Sequence, residues 1–316
     1  MSMKILVTYH KPAELIKSEV LIPIHAGRAL QGEKKWMLDM QGDDTGENIS
    51  SKNDIYCELT AMYWAWKNYN LLGNPEYIGM MHYRRHLNFN TERNYREEAY
   101  GIVTYDLIDD KYKSDICLND NAICMAVNGF DIVIGKRWDV SRGGHSSVYN
   151  QYKESHGLNS ADYDAALNVL KEQEPAYAVS ADKYNSSVLG VFTNIFIMKR
   201  ELFFEYCEWL FGILSETEKR INVAPRVLGH ISERLMGIFI IKKGEEGKRI
   251  RELQRTFISH TDIDKIYIPP NRLYKAAKRL VKYLVIRMFR FFGIEIYARK
   301  VWNFIKNKRV AFKNRI

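Results

Sequence analysis

The stretch that most constrains the fold is residues 77–86, an apolar run that ends in two histidines and two arginines. A short apolar run of this kind predicts a buried β-strand that stops where the charges begin. In an α/β sheet, ligands bind at the carboxyl ends of strands, so His82, Arg84 and Arg85 are expected where an anionic substrate is met. Because adjacent strand residues face opposite sides, at least one arginine should point into the cleft beyond the strand. A surface arginine pair bridged to nearby acids is the alternative.

The preceding segment, residues 43–67, combines a polar loop with a helix. Its first half is rich in residues that favour turns, because their side chains bond to nearby backbone. Its second half predicts a helix over 56–69 with a cap at Asn53 or its neighbour. A loop that brings Asn48, Ser50 and Lys52 to a helix start is typical of an anion or nucleotide platform. The spacing matches neither of the common glycine-rich phosphate loops.

The order of the remaining elements predicts an α/β fold. Strand-like and helix-like runs alternate, which is typical of a largely parallel sheet flanked by helices. Residues 88–125 are polar and irregular, and we expect an insertion that lines the acceptor side. The predicted strands are 4–8, 77–82, 131–134 and 194–198, and the predicted helices include 56–69, 160–172 and 201–215.

Cysteine usage and hydropathy suggest the compartment. The four cysteines show no paired spacing, which favours a reduced cytoplasmic chain over a disulfide framework. The first apolar run is too short for a signal peptide, and no run approaches the ~18 apolar residues that span a bilayer.

Positive charge is concentrated in residues 271–316. This segment holds 14 lysines and arginines and one acid, Glu295, whereas residues 1–270 carry 33 basic and 37 acidic residues. Its apolar and aromatic residues fall on one helical face and its lysines on another, which predicts a basic amphipathic helical tail lying on an anionic membrane surface. Nucleic-acid binding and a helical pair packed on the core are the alternatives. Cosedimentation with anionic liposomes, compared with a chain ending at Pro270, tests the membrane prediction.

The motifs together resemble a known family. The chain is similar to bacterial capsular and exopolysaccharide biosynthesis proteins long catalogued as a domain of unknown function and now regarded as glycosyltransferases. The resemblance covers roughly residues 3–243 and implies a GT-A-like scaffold. Together with the charge distribution, it predicts a catalytic domain at 1–270 and the basic tail at 271–316. The matching blocks are 4–12, 22–27, 44–50, 56–60, 77–79, 82–85, 194–199, 205–210 and 226–234.

This resemblance implies transfer of a sugar from a nucleotide donor. The expected reaction moves a hexose, galactofuranose or galactose, from a UDP-linked donor to a lipid-linked glycan in capsular, exopolysaccharide or O-antigen synthesis. The expected location is the inner face of the cell membrane, as a peripheral protein. The alternative is a non-catalytic nucleotide-sugar or glycan-binding subunit of a polysaccharide assembly complex.

Candidate site residues fall into three groups. Guanidinium groups bind phosphate oxygens bidentately, and a carboxylate or histidine can take the proton of an acceptor hydroxyl. Capping or a salt bridge to Arg234 is the alternative role for Glu233, and a buried core histidine is the alternative for His10. The nucleotide-sugar candidates are His10, Lys11, Asn48, Ser50, Lys52, Asn53, His82, Arg84, Arg85 and Asn194; the catalytic candidates are Glu233, Asp131 and His156; the acceptor candidates are Arg226 and His230.

Dependence on a metal stays open. Mn²⁺ or Mg²⁺ would require oxygen ligands, and Asp162 and Asp164 form an Asp-x-Asp pattern. These two acids fall in the first turn of a predicted helix capped by Ser160, where the helix dipole explains them. Asp43 and Asp44 are a second candidate pair, although paired acids in a polar loop are usually solvated.

Overall fold

The computed structural model describes residues 1–32 and 40–259. The predicted tail at 271–316 lies outside these ranges. The described chain is α/β. Its strands are β1 (Met3–Tyr9), β2 (Leu21–His25), β3 (Gln41–Gly42), β4 (Tyr77–His82), β5 (Ile102–Tyr105), β6 (Ile132–Gly135), β7 (Trp138–Asp139), β8 (Leu189–Gly190), β9 (Phe196–Lys199), β10 (Ile250–Leu253) and β11 (Arg255–Ile258).

Helices follow or separate these strands through the described ranges. They are α1 (Arg28–Gln31), α2 (Asn53–Tyr56), α3 (Leu59–Lys67), α4 (Asp110–Asp115), α5 (Asp120–Val127), α6 (Val148–Lys153), α7 (Ser160–Gln173), α8 (Ala178–Ser186), α9 (Arg200–Arg220) and α10 (Val227–Glu245). Within the described part of the chain, no helix is both long and apolar enough to cross a bilayer.

A seven-stranded sheet forms the centre, in the order β10-β6-β9-β4-β1-β2-β3. Every pairing in it is parallel except those of β9, which runs antiparallel to both β4 and β6. The predicted, mostly parallel sheet flanked by helices is therefore confirmed. Gly79 lets β9 approach β4, because a Cβ there would lie 2.8 Å from the Phe196 carbonyl oxygen.

Apolar side chains bury both faces of this sheet. Alternate strand residues face opposite sides, so Leu6 packs on one face and Ile5 and Val7 on the other. Helices α3, α7, α8, α9 and α10 cover the first face, and α5 packs against the second. The layers leave the carboxyl edge of the parallel strands open to connecting loops.

The predicted elements match with four corrections. The helix predicted at 56–69 is two helices, α2 and α3, because Cys57 between them adopts φ 54° and ψ −135°. Residues 88–125 are only partly irregular, since β5, α4 and the start of α5 lie there, whereas 88–98 form neither helix nor strand. The cap of α7 is Asn159 rather than Ser160, and the Asn159 side chain accepts a hydrogen bond from the Ala161 amide.

The helix-start prediction at Asn53 also needs correction. Helix α2 begins at Asn53 without a side-chain cap. The Asn53 amide nitrogen instead donates to the Cys57 carbonyl at 2.6 Å and to the Thr60 hydroxyl at 2.9 Å. Its side chain therefore fastens the α2–α3 break.

Candidate active site

A cavity of about 720 Å³ opens at the carboxyl edge of the central sheet. Residues after β1 and β4 line it, as do the α2–α3 break and the first turns of α10. Because β9 is antiparallel, the residues that precede it reach the same edge. Loops that leave parallel strands and a loop that enters an antiparallel strand therefore meet around one space.

The turn after β4 brings the predicted histidine and both arginines to this cavity. The His82 and Arg85 backbones exchange hydrogen bonds, each 3.0 Å from nitrogen to oxygen, which closes the turn. The Arg84 guanidinium lies over the rings of Tyr83 and Phe257, and Arg85 over Phe257. Burial lowers the pKa of Arg85, and the neighbouring Arg84 charge adds to the effect. Both arginines line the cavity, so the expectation of at least one inward arginine is met.

His82 is held as a neutral ring. Its Nε2 lies 2.7 Å from the Thr193 carbonyl oxygen, which can only accept, so Nε2 carries the proton. Burial lowers the His82 pKa to about 3, with the Arg85 charge adding to it. The imidazole therefore enters any reaction uncharged at neutral pH.

Two glutamates reach the cavity, and their surroundings differ. Both oxygens of Glu233 are engaged, since Oε1 accepts from the Thr193 amide at 3.0 Å and Oε2 from Arg234 at 2.7 Å. Glu58 accepts from the Asn194 side-chain amide at 2.9 Å through Oε1 alone, and His82 Nε2 lies 4.0 Å away. Burial raises the pKa of Glu58. A carboxylate with a raised pKa and an oxygen to spare suits proton transfer.

Unusual backbone conformations are concentrated here. Seven non-glycine residues in the described ranges have positive φ; four of them line the cavity, and a fifth, Asn194, lies next to it in the chain. Such conformations cost about 1–3 kcal/mol each and cluster at functional sites. The five are Cys57, Tyr100, Thr193, Asn194 and Arg226. They aim the two carboxylates and His82 at one space, because Cys57 precedes Glu58 and the Thr193–Asn194 pair binds all three side chains.

The cavity carries an excess of positive charge. Six permanently cationic side chains face three carboxylates across its walls. Arg234 is almost fully buried and also donates to the Gln151 side chain at 2.7 Å. An anionic ligand would balance this field, and guanidinium forks match phosphate oxygens. The cations are Lys11, Arg84, Arg85, Arg226, Arg234 and Arg255, and the acids are Asp54, Glu58 and Glu233.

An aromatic wall adjoins these charges. The Tyr100 and Trp138 rings lie 4.7 Å apart between centroids, and Trp138 contacts Phe192 at 5.9 Å. All three line the cavity, and Tyr100 is 59% exposed. Exposed aromatic faces stack on bases and sugars, so this wall suits the organic part of a charged ligand.

The remaining predicted residues of the cavity include three histidines. His10 stands edge-on to Tyr83 at 5.0 Å, and burial, with Lys11 and Arg84, lowers its pKa to about 4. Burial also lowers the pKa of His230, one turn into α10. Ten predicted residues share the cavity: His10, Lys11, Asn53, His82, Arg84, Arg85, His156, Arg226, His230 and Glu233.

Most of the predicted anion loop does not reach the cavity. Asn48 bonds locally to Gly46 and Ser50, Ser50 is buried on Asp43, and Lys52 pairs with Glu218 of α9 at 2.9 Å. These side chains shape the loop that supports α2. Only Asn53 of that group lines the cavity.

Two other predicted residues lie away from the cavity walls. Asn194 is buried behind Glu58, where its amide joins that carboxylate to Ser232 at 2.9 Å. Asp131 precedes β6 and so lies at the opposite edge of the sheet, paired with Lys199 at 2.8 Å. The structure thus gives Asn194 a positioning contact and separates Asp131 from the other candidates.

The acids considered for metal binding do not fit that role. Asp43 is fully buried and accepts from the amides of Gly27 and Arg28 and from two hydroxyls. Asp44 pairs with Arg28 at 2.7 Å. Asp162 and Asp164 bond to Asn159 and Tyr149 and do not line the cavity. Within residues 1–32 and 40–259, no cluster of three or more His, Cys, Asp or Glu side chains could hold a metal ion.

Sequence reasoning missed several residues of the site. Glu58 stands inside a block that carried the family resemblance, but nothing in its spacing set it apart from a helix-surface acid. The sequence indicates Arg234 only as a salt-bridge partner of Glu233. Arg255 and Trp138 lie in short strands without a recognisable period. Their proximity depends on chain pairing, which one sequence does not display.

Comparison with known proteins identifies the family of this chain. Residues 4–244 match the family described as "Domain of unknown function (DUF4422)". A solved apo structure of the bifunctional glycosyltransferase WbbM is similar, with a TM-score of 0.77 and 37% identity over 86% of this chain. The chain spans 48% of that structure's length. No curated protein matches it. The family match extends over most of the 316 residues, and it shows that the chain belongs to the DUF4422 family.

Proposed function

We propose that this protein is a glycosyltransferase that moves a hexose, galactofuranose or galactose, from a UDP-linked donor to a lipid-linked glycan. The observation that carries the proposal is the cavity at the carboxyl edge of the sheet, whose walls hold six cations, two partly buried glutamates and an aromatic cluster. Cations suit the diphosphate, aromatic faces suit the base and sugar, and the carboxylate suits the acceptor proton.

Similarity to WbbM supports the transferase assignment. That protein is a bifunctional glycosyltransferase, and this chain aligns with about half of it at 37% identity. The acceptor class and the setting, capsular, exopolysaccharide or O-antigen synthesis at a membrane surface, rest on the sequence resemblance and on the basic segment 271–316.

The proposed chemistry is a single displacement. Glu58 takes the proton of the acceptor hydroxyl while that oxygen forms a bond to the anomeric carbon of the donor. The bond from the anomeric carbon to the diphosphate oxygen breaks, and its electron pair leaves with the diphosphate. Arg84 and Arg85 stabilise the charge that develops on this leaving group. Glu233 holds Arg234 and the Thr193 amide in place.

The acceptor is assigned to the side of the cavity formed by α10. Arg226 and His230 lie one turn apart at the start of this helix and line the cavity. Hydroxyl groups of a glycan can bond to a neutral imidazole and to a guanidinium. His156 lines the cavity as well and can contribute a further hydrogen bond.

Thermal unfolding with UDP, GDP, CMP and dTDP, each with Mn²⁺ or EDTA, tests the donor. A ligand that binds the folded state at a hundredfold excess over its dissociation constant adds about 2.7 kcal/mol of stability. We expect UDP to raise the melting temperature most. The Mn²⁺ and EDTA arms show whether binding needs a metal.

Transfer of a labelled sugar then tests catalysis. The expected result is label in a lipid-linked product from a UDP-hexose. Nucleotide binding without transfer to any lipid-linked acceptor would contradict the transferase proposal. It would favour the alternative, a non-catalytic binding subunit of an assembly complex. Absence of binding by all four nucleotides would contradict the proposal.

A further inference from the structure

Arg255, at the start of β11, is a buried cation on the cavity wall. The residue is 3% exposed, and it lies beyond the last residue of the family match. Its Nη2 donates to the Tyr100 carbonyl at 2.7 Å and its Nη1 to the Phe192 carbonyl at 3.4 Å. Its Nε has no acceptor among the described residues. Three of the five N–H groups of this guanidinium are therefore unused within the described chain.

Packing against neighbouring backbone fixes the position of the Arg255 side chain. Its stem passes over Gly135 at the end of β6, where a Cβ would lie 2.4 Å from the Arg255 Cδ and 2.6 Å from its Cγ. The backbone of Arg255 pairs with Ile102 of β5. The guanidinium thus lies between the end of β6 and the Tyr100 segment, and only a glycine at 135 leaves room for it.

No carboxylate in the described ranges pairs with Arg255 within 4 Å. Arg234 offers a contrast, since its guanidinium has Glu233 at 2.7 Å. Burying a cation without a counter-charge is costly, and proteins usually pair such groups or bind an ion with them. Burial lowers the pKa of Arg255 to about 10, which is still far above neutrality, so the charge persists. Glu233 and Glu97 attract this cation only from beyond contact distance, so a directly bonded counter-charge is expected from a ligand.

The surroundings favour a nucleotide diphosphate as that ligand. Tyr100, whose carbonyl accepts from Arg255, packs against Trp138 on the cavity wall with the two rings tilted by 52°, so an aromatic surface adjoins the cation. We propose that Arg255 anchors the diphosphate of the nucleotide-sugar donor, with the base or sugar against Tyr100 and Trp138. This inference rests on the proposed function and adds the residue that recognises the donor.

Calorimetric titration of the full chain with UDP, uridine, inorganic pyrophosphate and geranyl diphosphate tests the anchor. Arg255→Met is expected to weaken UDP and pyrophosphate binding about 10- to 100-fold, because charge-assisted hydrogen bonds are lost. Uridine affinity should change less than about twofold. The melting temperature without ligand should not fall, because an unpaired buried charge has been replaced by an apolar side chain of similar length.

Two further variants separate the anchor from general effects of charge and folding. Arg251→Met is the matched control, because Arg251 also donates to a carbonyl, that of Ala126, and lies over an aromatic ring, Phe130, outside the cavity. It should leave UDP affinity unchanged. Gly135→Ala keeps the Arg255 charge but displaces its stem, and it should weaken UDP binding about tenfold or more.

The following results would overturn the inference. Unchanged UDP affinity in Arg255→Met or in Gly135→Ala would show that Arg255 does not bind the diphosphate. A loss of geranyl diphosphate binding alone would assign the cation to a lipid diphosphate. A large drop in the ligand-free melting temperature would show a structural role. Wild-type protein that binds neither UDP nor pyrophosphate would also overturn it, whereas labelled-sugar transfer reports separately on the proposed function.

Discussion

At the scale of single residues, the two cavity glutamates have different tasks. Both oxygens of Glu233 accept hydrogen bonds, from the Thr193 amide and from Arg234. Its negative charge therefore balances the Arg234 cation. Glu58 keeps one oxygen outside its bond to Asn194, and burial raises its pKa. A group with a raised pKa is a better proton acceptor for an alcohol than an ordinary carboxylate. The pair resembles other sites in which neighbouring acids take separate roles.

Glu58→Gln and Glu233→Gln distinguish these tasks. Glu58→Gln should lower the transfer rate about 10²- to 10⁴-fold and leave UDP affinity unchanged, because the amide cannot take a proton. Glu233→Gln should lower the free energy of unfolding by about 3 kcal/mol, because Arg234 loses its buried partner. Transfer assays, calorimetry and urea unfolding measure the three quantities. Normal turnover by Glu58→Gln together with lost turnover by Glu233→Gln would assign the base to Glu233.

At the scale of elements, the break between α2 and α3 aims Glu58 at the cavity. Cys57 adopts a backbone conformation that side chains rarely take, and α10 supports it through Gly229. A Cβ at Gly229 would lie 3.0 Å from the Cys57 Sγ and 3.1 Å from its Cβ. The close approach of α10 to this break therefore depends on a glycine.

Gly229→Ala should disturb the break. We expect a loss of about 1–3 kcal/mol of unfolding free energy from overpacking, and a lower transfer rate because Glu58 moves. Gly212→Ala is the control, because Gly212 of α9 has nothing within 4 Å of an added Cβ and the change should add up to ~1 kcal/mol through helix propensity. Urea unfolding and initial rates check both. Equal behaviour of the two variants would contradict the role of Gly229.

The helices and strands could be predicted from the sequence better than the way in which they pair and pack. The apolar run before His82 was enough to predict β4, and the charges after it marked the cavity edge. The break at Cys57 was not predictable, because cysteine carries no preference for positive φ. The antiparallel direction of β9 could not be predicted either, because a short apolar run indicates a strand but not its direction in the sheet. For the same reason Arg255, whose place depends on pairing with β5, could not be found from one sequence.

At the scale of the whole molecule, buried histidines link stability to pH. His86 is fully buried outside the cavity wall, with its Nδ1 2.6 Å from the Tyr112 hydroxyl. Burial lowers the pKa of His82 and of His86 to about 3, from an ordinary value of about 6.5. The folded state therefore binds fewer protons than the unfolded state between these values. Stability from these rings is present above pH 6.5 and is lost as the pH falls toward 3.

Lowering the pH from 7 to 5 should therefore weaken the fold. Each of these two histidines should remove about 2 kcal/mol, since each pKa unit corresponds to about 1.36 kcal/mol. Glu58, with its raised pKa, acts in the opposite sense, so the difference between variants is the clearer measure. Urea unfolding of His86→Gln at both pH values should show a decrease about 2 kcal/mol smaller than that of the wild type. An equal decrease would show that His86 does not titrate as described.

The antiparallel strand β9 has a consequence for how the site comes into being. The walls of the cavity include Thr8 of β1, the loop before β9 and Arg255 of β11. During synthesis, β4 is made more than a hundred residues before its partner β9. The walls of the cavity are therefore incomplete until β9, which is synthesised late, has paired with β4 and β6. Contacts this distant in sequence slow folding, and a nascent chain that ends before Arg255 would lack one residue of the described cavity wall.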